Sequence, residues 1–229
     1  MIVAERKPFD EILAMLAPYK RVLVLGCGSC VTVCMTGGEK QAELLAAQLR
    51  LAAGKEGKEL SVDFDCITRQ CDREFIEDLS RDLSEYDAVL SIACGVGVGF
   101  MSEAVPNVPV LPGLDTTFYG ANTAPGVWSE YCHGCGDCVL DLTGGICPIA
   151  RCSKSLINGA CGGTNNGKCE VSKDMDCGWQ LIYERLKQAG RLDELTKIRP
   201  PRDWSKDRGG GMRRLTHAEL AEIGEEADE

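Results

Sequence analysis

Three cysteines, each separated from the next by two residues, stand near the middle of the chain. They are Cys132, Cys135 and Cys138, and Cys147 follows after eight more residues, directly before Pro148. This spacing lets successive thiolates converge on one iron–sulfur cube, as in the C-x2-C-x2-C run with a later Cys-Pro of bacterial ferredoxins. The gap before the Cys-Pro is longer here, so the match is partial. Zinc ribbons favour two separated C-x2-C pairs, and the string therefore favours an iron–sulfur cluster over zinc.

The same region carries four further cysteines, Cys152, Cys161, Cys169 and Cys177. With the first four they give eight thiols, the number that two [4Fe–4S] cubes require. The simplest assignment places the first four on one cube and the last four on the other. Alternatively, the thiolate of Cys147 crosses to the second cube, and Cys152 or Cys177 replaces it. Because few aliphatic residues surround these cysteines, we expect the clusters to hold the segment together.

The composition limits the compartment and the class of partner. Fourteen cysteines in 229 residues are below the density of a small disulfide scaffold, and the charged N-terminus has no apolar segment of signal-peptide length. We therefore expect a cytoplasmic protein whose clustered thiols stay reduced and bind metal. A net charge of −10 argues against nucleic acid as a main partner. No apolar run reaches the length of a membrane span.

The first half of the sequence alternates short apolar runs with helical patterns. The predicted strands are residues 21–26, 60–65, 87–93 and 108–111. The predicted helices are residues 9–18, 39–54, 72–83 and 95–105. This alternation is typical of a parallel sheet with right-handed crossovers, so we predict an α/β fold of the Rossmann or flavodoxin-like class. Near the other end, residues 176–189 show the apolar stripe of a helix that stops at Gly190.

We divide the chain into four parts. They are the α/β domain at 1–113, a linker or docking segment at 114–130, a loop-rich, ferredoxin-like cluster domain at 131–196 and an extended tail at 197–229. The 114–130 segment has no clear period but contains Phe118, Tyr119 and Trp128, as a packed linker or a docking surface would. The tail is mostly polar around Trp204, and it is either disordered or an arm that wraps a partner subunit.

Cysteines of the α/β domain fall where the predicted strands end. Cys27 and Cys30 follow the first strand, Cys66 and Cys71 the second, and Cys94 the third. Because the carboxyl ends of parallel strands meet at one sheet edge, these loops deliver thiols to the same place. Cys27 and Cys30 have ligand spacing, Cys94 sits at a strand end, and Cys71 opens a predicted helix whose dipole favours a thiolate. The pattern predicts an N-terminal metal site.

Two thiols and the glycine pattern leave alternatives open. Cys34 and Cys66 compete with Cys71 as ligands, and each can instead be a buried core thiol. A dinucleotide-binding loop needs G-x-G-x-x-G after the first strand, but Val31 occupies the third glycine position. Residues 95–99 read G-x-G-x-G, which also departs from the pattern. The glycines therefore disfavour a nucleotide site and suit backbone N–H groups that approach cluster sulfurs.

Several longer motifs resemble one known family. They are GCGSCVTVCMTGGEK, RQCDREF, SIACGVGV, CPIARCSKSLINGACGGTNNGKCE and CGWQLIYERLKQAGRL, within residues 21–200. These segments resemble the MetV-type small subunit of methylenetetrahydrofolate reductase, a region that also occurs as a C-terminal extension of some of these reductases. The resemblance implies an iron–sulfur protein, sometimes proposed to hold zinc, paired with a flavin-containing TIM-barrel subunit. Its motif includes Cys34, which weakens the core-thiol interpretation there, and gives no role to Cys66.

The resemblance supports twelve cysteines as cluster ligands. They are Cys27, Cys30, Cys71, Cys94, Cys132, Cys135, Cys138, Cys147, Cys152, Cys161, Cys169 and Cys177. Four thiolates per cube would give three [4Fe–4S] clusters, with zinc as the alternative at the N-terminal site. The implied partner carries FMN or FAD and reduces methylenetetrahydrofolate to methyltetrahydrofolate in folate-dependent one-carbon metabolism. A further electron-donating complex is a second expected partner.

We therefore predict an electron-transfer subunit of an oxidoreductase that has no substrate site of its own. We assign no catalytic residue to this chain, because His133 and His217 lie in a cluster loop and in the tail. Chemistry at the substrate carbon then falls to the flavin-containing partner. The alternative is a zinc-binding scaffold that organises a reductase or methyl-transfer complex without moving electrons. A nucleotide-binding regulatory subunit is a third option, which the broken glycine pattern disfavours.

Overall fold

The chain folds into two compact units, Met1–Cys132 and His133–Glu229. The computed structural model describes residues 1–77, 79, 81–207 and 212–217. Each unit contains a hydrophobic cluster of its own. No helix among the described residues combines the length and the apolarity that a membrane span requires.

The described part of the first unit alternates strands and helices along the chain. Its strands are β1 (Ile2–Arg6), β2 (Arg21–Cys27), β3 (Ser61–Ile67), β4 (Ala88–Ser91), β5 (Val110–Pro112), β6 (Leu114–Ala124) and β7 (Val127–Cys132). Its helices are α1 (Phe9–Leu16), α2 (Cys30–Val33), α3 (Glu39–Glu56), α4 (Arg73–Glu77) and α5 (Gly95–Ala104).

Four strands form a parallel sheet in the order β3-β2-β4-β5. The central strand β2 is apolar throughout because both of its faces are covered. Val22 and Val24 point into a core shared with α1 and α3, whereas Leu23 and Leu25 point into a second core shared with α4 and α5. The predicted α/β class is confirmed. The chain runs from β2 to β3 on one side of it and then to β4 on the other, so the strand order reverses between β2 and β4. In open α/β sheets, ligands bind beyond the carboxyl ends of the strands at such a point.

A second sheet, which we did not predict, is antiparallel and has the order β1-β6-β7. Residues 114–130, expected to be a linker or a docking segment, therefore supply β6 and most of β7. Only Leu114 of β6 is buried, so the strand shows no apolar alternation that the sequence would reveal. Phe118 and Trp128 are partly buried and pack against the core of this unit.

Several helices differ from their predicted bounds, among them α4 and α3. In the segment 72–83, predicted as one helix, the described residues form the short α4 and begin a 3-10 turn at Leu83–Glu85, and residues 78 and 80 lie outside the described residues. α3 does not stop at Gly54 but continues to Glu56. It ends at Gly57, whose φ of 64° is the left-handed conformation that glycine adopts at helix ends.

The described part of the second unit consists largely of loops. Its regular elements are the helices α6 (Pro148–Arg151) and α7 (Gly178–Gln188) and a two-stranded sheet of β8 (Lys168–Cys169) and β9 (Ser172–Asp176). The predicted helix at 176–189 is α7, and its Trp179, Ile182 and Leu186 form a small buried cluster. The Trp179 indole Nε1 donates to the Leu156 carbonyl at 2.9 Å, which ties a loop to this helix.

Candidate metal centres

The carboxyl edge of the parallel sheet brings together thiols from three loops. Cys27 is the last residue of β2, and Cys94 stands directly before α5; both side chains are buried. Cys71 follows β3. Burial raises the pKa of the Cys71 thiol, and the neighbouring Cys94 and Cys27 raise it further. These three side chains therefore share one end of the sheet.

A buried glutamine fixes the loop that carries Cys71. Gln70 is fully buried, and its Nε2 donates to the carbonyls of Leu25 at 2.9 Å and Gly26 at 3.0 Å. Its Oε1 accepts the hydroxyl of Ser91 at 2.6 Å. One side chain thus ties the loop after β3 to the ends of β2 and β4. Because Cys71 is the next residue, Gln70 determines where that thiol lies.

Cys66 also lies at this edge, in β3 beside Gly26 of β2. Its sulfur is 3.0 Å from the point that a Cβ on Gly26 would occupy, so a side chain at residue 26 would press against that sulfur. Burial raises the pKa of the Cys66 thiol to about 11, and the nearby Cys27 contributes. Neighbouring thiolates disfavour each other's ionisation, and a metal cation bound between them would relieve that repulsion. The edge therefore suits a metal ligated by thiolates.

Cys30 and Cys34, at the two ends of α2, have different surroundings. Cys30 is the first residue of α2 and is half-buried. Cys34 is buried, and its Sγ lies 3.1 Å from the Thr36 hydroxyl and 3.9 Å from the carbonyl of Ala4 in β1. Cys34 is thus part of the hydrophobic core beneath β1.

Five cysteines of the second unit line one cavity of about 1080 Å³. They are Cys138, Cys152, Cys161, Cys169 and Cys177. Cys177 stands directly before α7, where the N-terminal end of a helix favours a thiolate. Cys152 follows α6, and Cys169 belongs to β8. The short elements of this unit thus turn thiols that are distant in the sequence towards one space.

The other predicted ligands of this region lie elsewhere in the described chain. Cys132 is the last residue of β7 and belongs to the first unit. Cys147 stands directly before α6, with Pro148 in the first turn of that helix. Cys135 is half-buried, and its Sγ accepts a hydrogen bond from Arg202 Nη2 at 2.7 Å.

Hydrogen-bond donors lie near two thiols of the second unit. The backbone N–H of Gly163 donates to Cys161 Sγ at 3.4 Å. The Ser153 hydroxyl lies 3.5 Å from Cys169 Sγ and lowers the pKa of that thiol. Cysteine binds iron and zinc as the thiolate, and hydrogen-bond donors around the sulfurs tune such sites. The donor groups of the second unit therefore fit a thiolate-ligated metal centre.

Within the described residues, no three His, Cys, Asp or Glu side chains lie close enough together to hold one metal ion.

Two polar residues at these sites were not predicted. Gln70 is next to a cysteine in the sequence, but nothing in the sequence indicates that it is buried. Arg202 is one of several basic residues in the tail, and no spacing distinguishes it from the others.

Comparison with protein families gives a match for the C-terminal part of the chain. Residues 111–205 match the family described as Methylene-tetrahydrofolate reductase C terminal. The match covers less than half of the chain. It includes the eight cysteines from Cys132 to Cys177, and it begins after Cys94. The resemblance seen in the motifs is thus confirmed in part, as similarity of residues 111–205 to this C-terminal family, and the small-subunit type stays a prediction. Comparison with curated proteins and with solved structures gives no significant match.

Proposed function

We propose that this chain is an iron–sulfur electron-transfer subunit of a methylenetetrahydrofolate reductase complex. One observation carries the proposal: five cysteines line a single cavity in the part of the chain that matches the reductase's C-terminal family. Four ligands of a zinc ion must all lie about 2.3 Å from one point, whereas a cube offers each thiolate a different iron. Thiols spread around the wall of a large cavity suit the second arrangement.

Two [4Fe–4S] clusters would be held by the eight cysteines from Cys132 to Cys177. A third metal centre, a cluster or zinc, would lie at the carboxyl edge of the parallel sheet. Its ligands would be Cys27, Cys71 and Cys94, with Cys30 or Cys66 as the fourth. Bound clusters would supply one-electron transfer. The chain itself would contribute thiolates, N–H and O–H donors that stabilise those thiolates, and a sheet edge that keeps the N-terminal ligands in place.

The partner would be a flavin-containing catalytic subunit that holds FMN or FAD and binds the folate substrate. Support comes from the family match and from the resemblance of the motifs. The clusters would pass electrons to or from that flavin, and a further electron-donating complex would exchange electrons with them. Substrate chemistry would then take place on the partner.

Anaerobic purification followed by quantification of iron, acid-labile sulfide and zinc tests this proposal. We expect about twelve iron ions per chain, four for each of three cubes. About eight iron ions with one zinc ion would assign zinc to the N-terminal site and keep the electron-transfer role. Zinc without iron would refute that role and favour the zinc-binding scaffold. Copurification with a flavoprotein would support the partner, and folate reduction by the isolated, flavin-free chain would refute the division of roles.

A further inference from the structure

The segment after α7 folds back onto the loop that carries the first predicted cluster ligands of the second unit. We call residues 133–138 the cysteine loop and residues 197–207 the basic arm. Arg202 Nη2 donates both to Cys135 Sγ at 2.7 Å and to the Asp137 carbonyl at 2.8 Å. Lys206 Nζ lies 3.4 Å from the Asp137 carboxylate. The basic arm thus brings two positive charges to a short stretch of the cysteine loop.

The backbones of the two segments also approach each other closely. Gly136 has a φ of 77°, and a Cβ at this position would lie only 2.5 Å from the Lys206 carbonyl. A side chain at residue 136 would therefore displace the basic arm. Arg213 Nη1 donates to the same Lys206 carbonyl at 2.7 Å. The contact is thus built from both backbones and not only from flexible side chains.

The guanidinium of Arg202 is held in place on more than one side. It stacks over the Trp204 ring, with 4.9 Å between its central carbon and the ring centroid. Its Nε is buried and has no hydrogen-bond partner among the described residues. A buried donor without a partner is unfavourable, so other interactions must hold the side chain there. A charge-assisted hydrogen bond to a thiolate is about twice as strong as a neutral one and is the interaction that can do so.

We propose that Arg202 is a positioning residue for the cluster that Cys135 holds, and that it raises the reduction potential of that cluster. This inference rests on the proposed iron–sulfur function. Reduction adds negative charge to a thiolate-ligated cluster, and a cation that donates to a ligand sulfur stabilises the reduced form more than the oxidised form. Hydrogen bonds to the sulfurs and nearby charge are known means of setting such potentials.

The test compares variants of the full chain, purified anaerobically with its clusters. Arg202→Gln removes the positive charge and the paired N–H donors. Arg191→Gln makes the same change of charge in the same unit, at a side chain that donates to the Asp141 carbonyl and pairs with Glu194. Redox titration followed by electron paramagnetic resonance measures the midpoint potential of each cluster, and iron is assayed in parallel.

We expect Arg202→Gln to shift the reduction equilibrium of one cluster at least threefold towards the oxidised form. That is about 28 mV to the negative side, since a tenfold change for one electron is 59 mV. Arg191→Gln should leave all potentials near those of the unchanged chain. Loss of one cluster's iron in Arg202→Gln that Arg202→Lys restores would also support the inference, because lysine keeps the charge.

Equal shifts in Arg202→Gln and Arg191→Gln would overturn the inference, since they would reflect overall charge alone. Unchanged potentials with full iron in Arg202→Gln would overturn it too, and so would loss of iron in both Arg202→Gln and Arg202→Lys. A chain that purifies without iron, whatever its residue 202, would instead refute the proposed function.

Discussion

Replacing Gln70 by alanine should destabilise the first unit more than any other single glutamine change in it. Gln70 makes three hydrogen bonds while fully buried. The Leu25 carbonyl also accepts a hydrogen bond from the backbone N–H of Ile92 at 2.9 Å. Loss of its hydrogen bond from Gln70 therefore costs only about 0.5 kcal/mol. The bonds to the Gly26 carbonyl and from the Ser91 hydroxyl are worth about 1 kcal/mol each. With the vacated space, we expect a loss of about 3 kcal/mol in the free energy of unfolding, a roughly 150-fold change in the unfolding equilibrium.

Hydrogen exchange of the backbone amides in β2 and β4 is the suitable assay, because it reports on the first unit alone. Gln48→Ala is the matched control, since Gln48 is a helical residue whose amide accepts only an exposed hydrogen bond from Arg6. That variant should change the free energy of unfolding by less than about 0.5 kcal/mol. A double-mutant cycle of Gln70→Ala with Ser91→Ala should return an interaction energy of about 1 kcal/mol. Equal effects of Gln70→Ala and Gln48→Ala would refute the role given to the buried amide.

Two further predictions concern the first unit. Cys94→Ala should remove the metal of the N-terminal site and leave that of the second unit. Cys34→Ala should leave the metal content unchanged, because that thiol faces the Ala4 carbonyl and the Thr36 hydroxyl under β1. Metal analysis of both variants tests this prediction, and equal losses would contradict the assignment. Two backbone N–H groups at the start of β2, each 2.8 Å from Oδ2 of Asp87, lower the pKa of this carboxyl below its ordinary value of 3.8. Its contribution to stability is therefore complete above about pH 3.8 and is lost as the pH falls through the lower folded-state pKa. Asp87→Asn should lower the urea midpoint of unfolding at pH 7. The difference in midpoint between this variant and the unchanged chain should shrink below about pH 3.8. A difference that does not vary with pH would show that the carboxylate charge is irrelevant.

The parallel sheet was predictable because its strands are apolar on both faces. Val22 to Leu25 face two separate cores, and such a run can hardly be anything but a buried strand. β6 and β7 were not predictable, since most of their side chains are exposed and no period marks them. The prediction of one continuous helix at 72–83 was wrong for a related reason. Its apolar spacing was helical, but only Ile76 of α4 is buried, and propensity alone did not extend the helix.

For the candidate sites, spacing indicated which thiols are candidate metal ligands but not which thiols share a space. Strand ends placed Cys27, Cys71 and Cys94 together because parallel strands impose a common edge. In the second unit no sheet imposes such an edge, and the cavity formed by Cys138 and four later cysteines depends on loop conformations. The direction of a side chain is also beyond sequence spacing. Cys34 follows Cys30 by one helical turn yet lies in the core.

The two units hold their cysteines by different means, and removal of metal should separate them. In the first unit the thiols stand on a sheet with two cores, and Gln70 ties their loops to it. Among the described residues of the second unit, the hydrophobic core is a small cluster around Trp179, and most of the cysteines lie in loops. We therefore expect bound metal to supply much of the folding free energy of this unit. We expect anaerobic chelation to abolish amide protection in α7 while β2 and β4 stay protected, as hydrogen exchange followed by mass spectrometry would measure. Restoring iron and sulfide should restore the amide protection of α7. The Cys34→Ala variant serves as a control, because it keeps all the proposed metal ligands. Parallel loss of protection in both units would show that the first unit depends on metal as well, and protection of α7 without metal would show that its apolar cluster suffices.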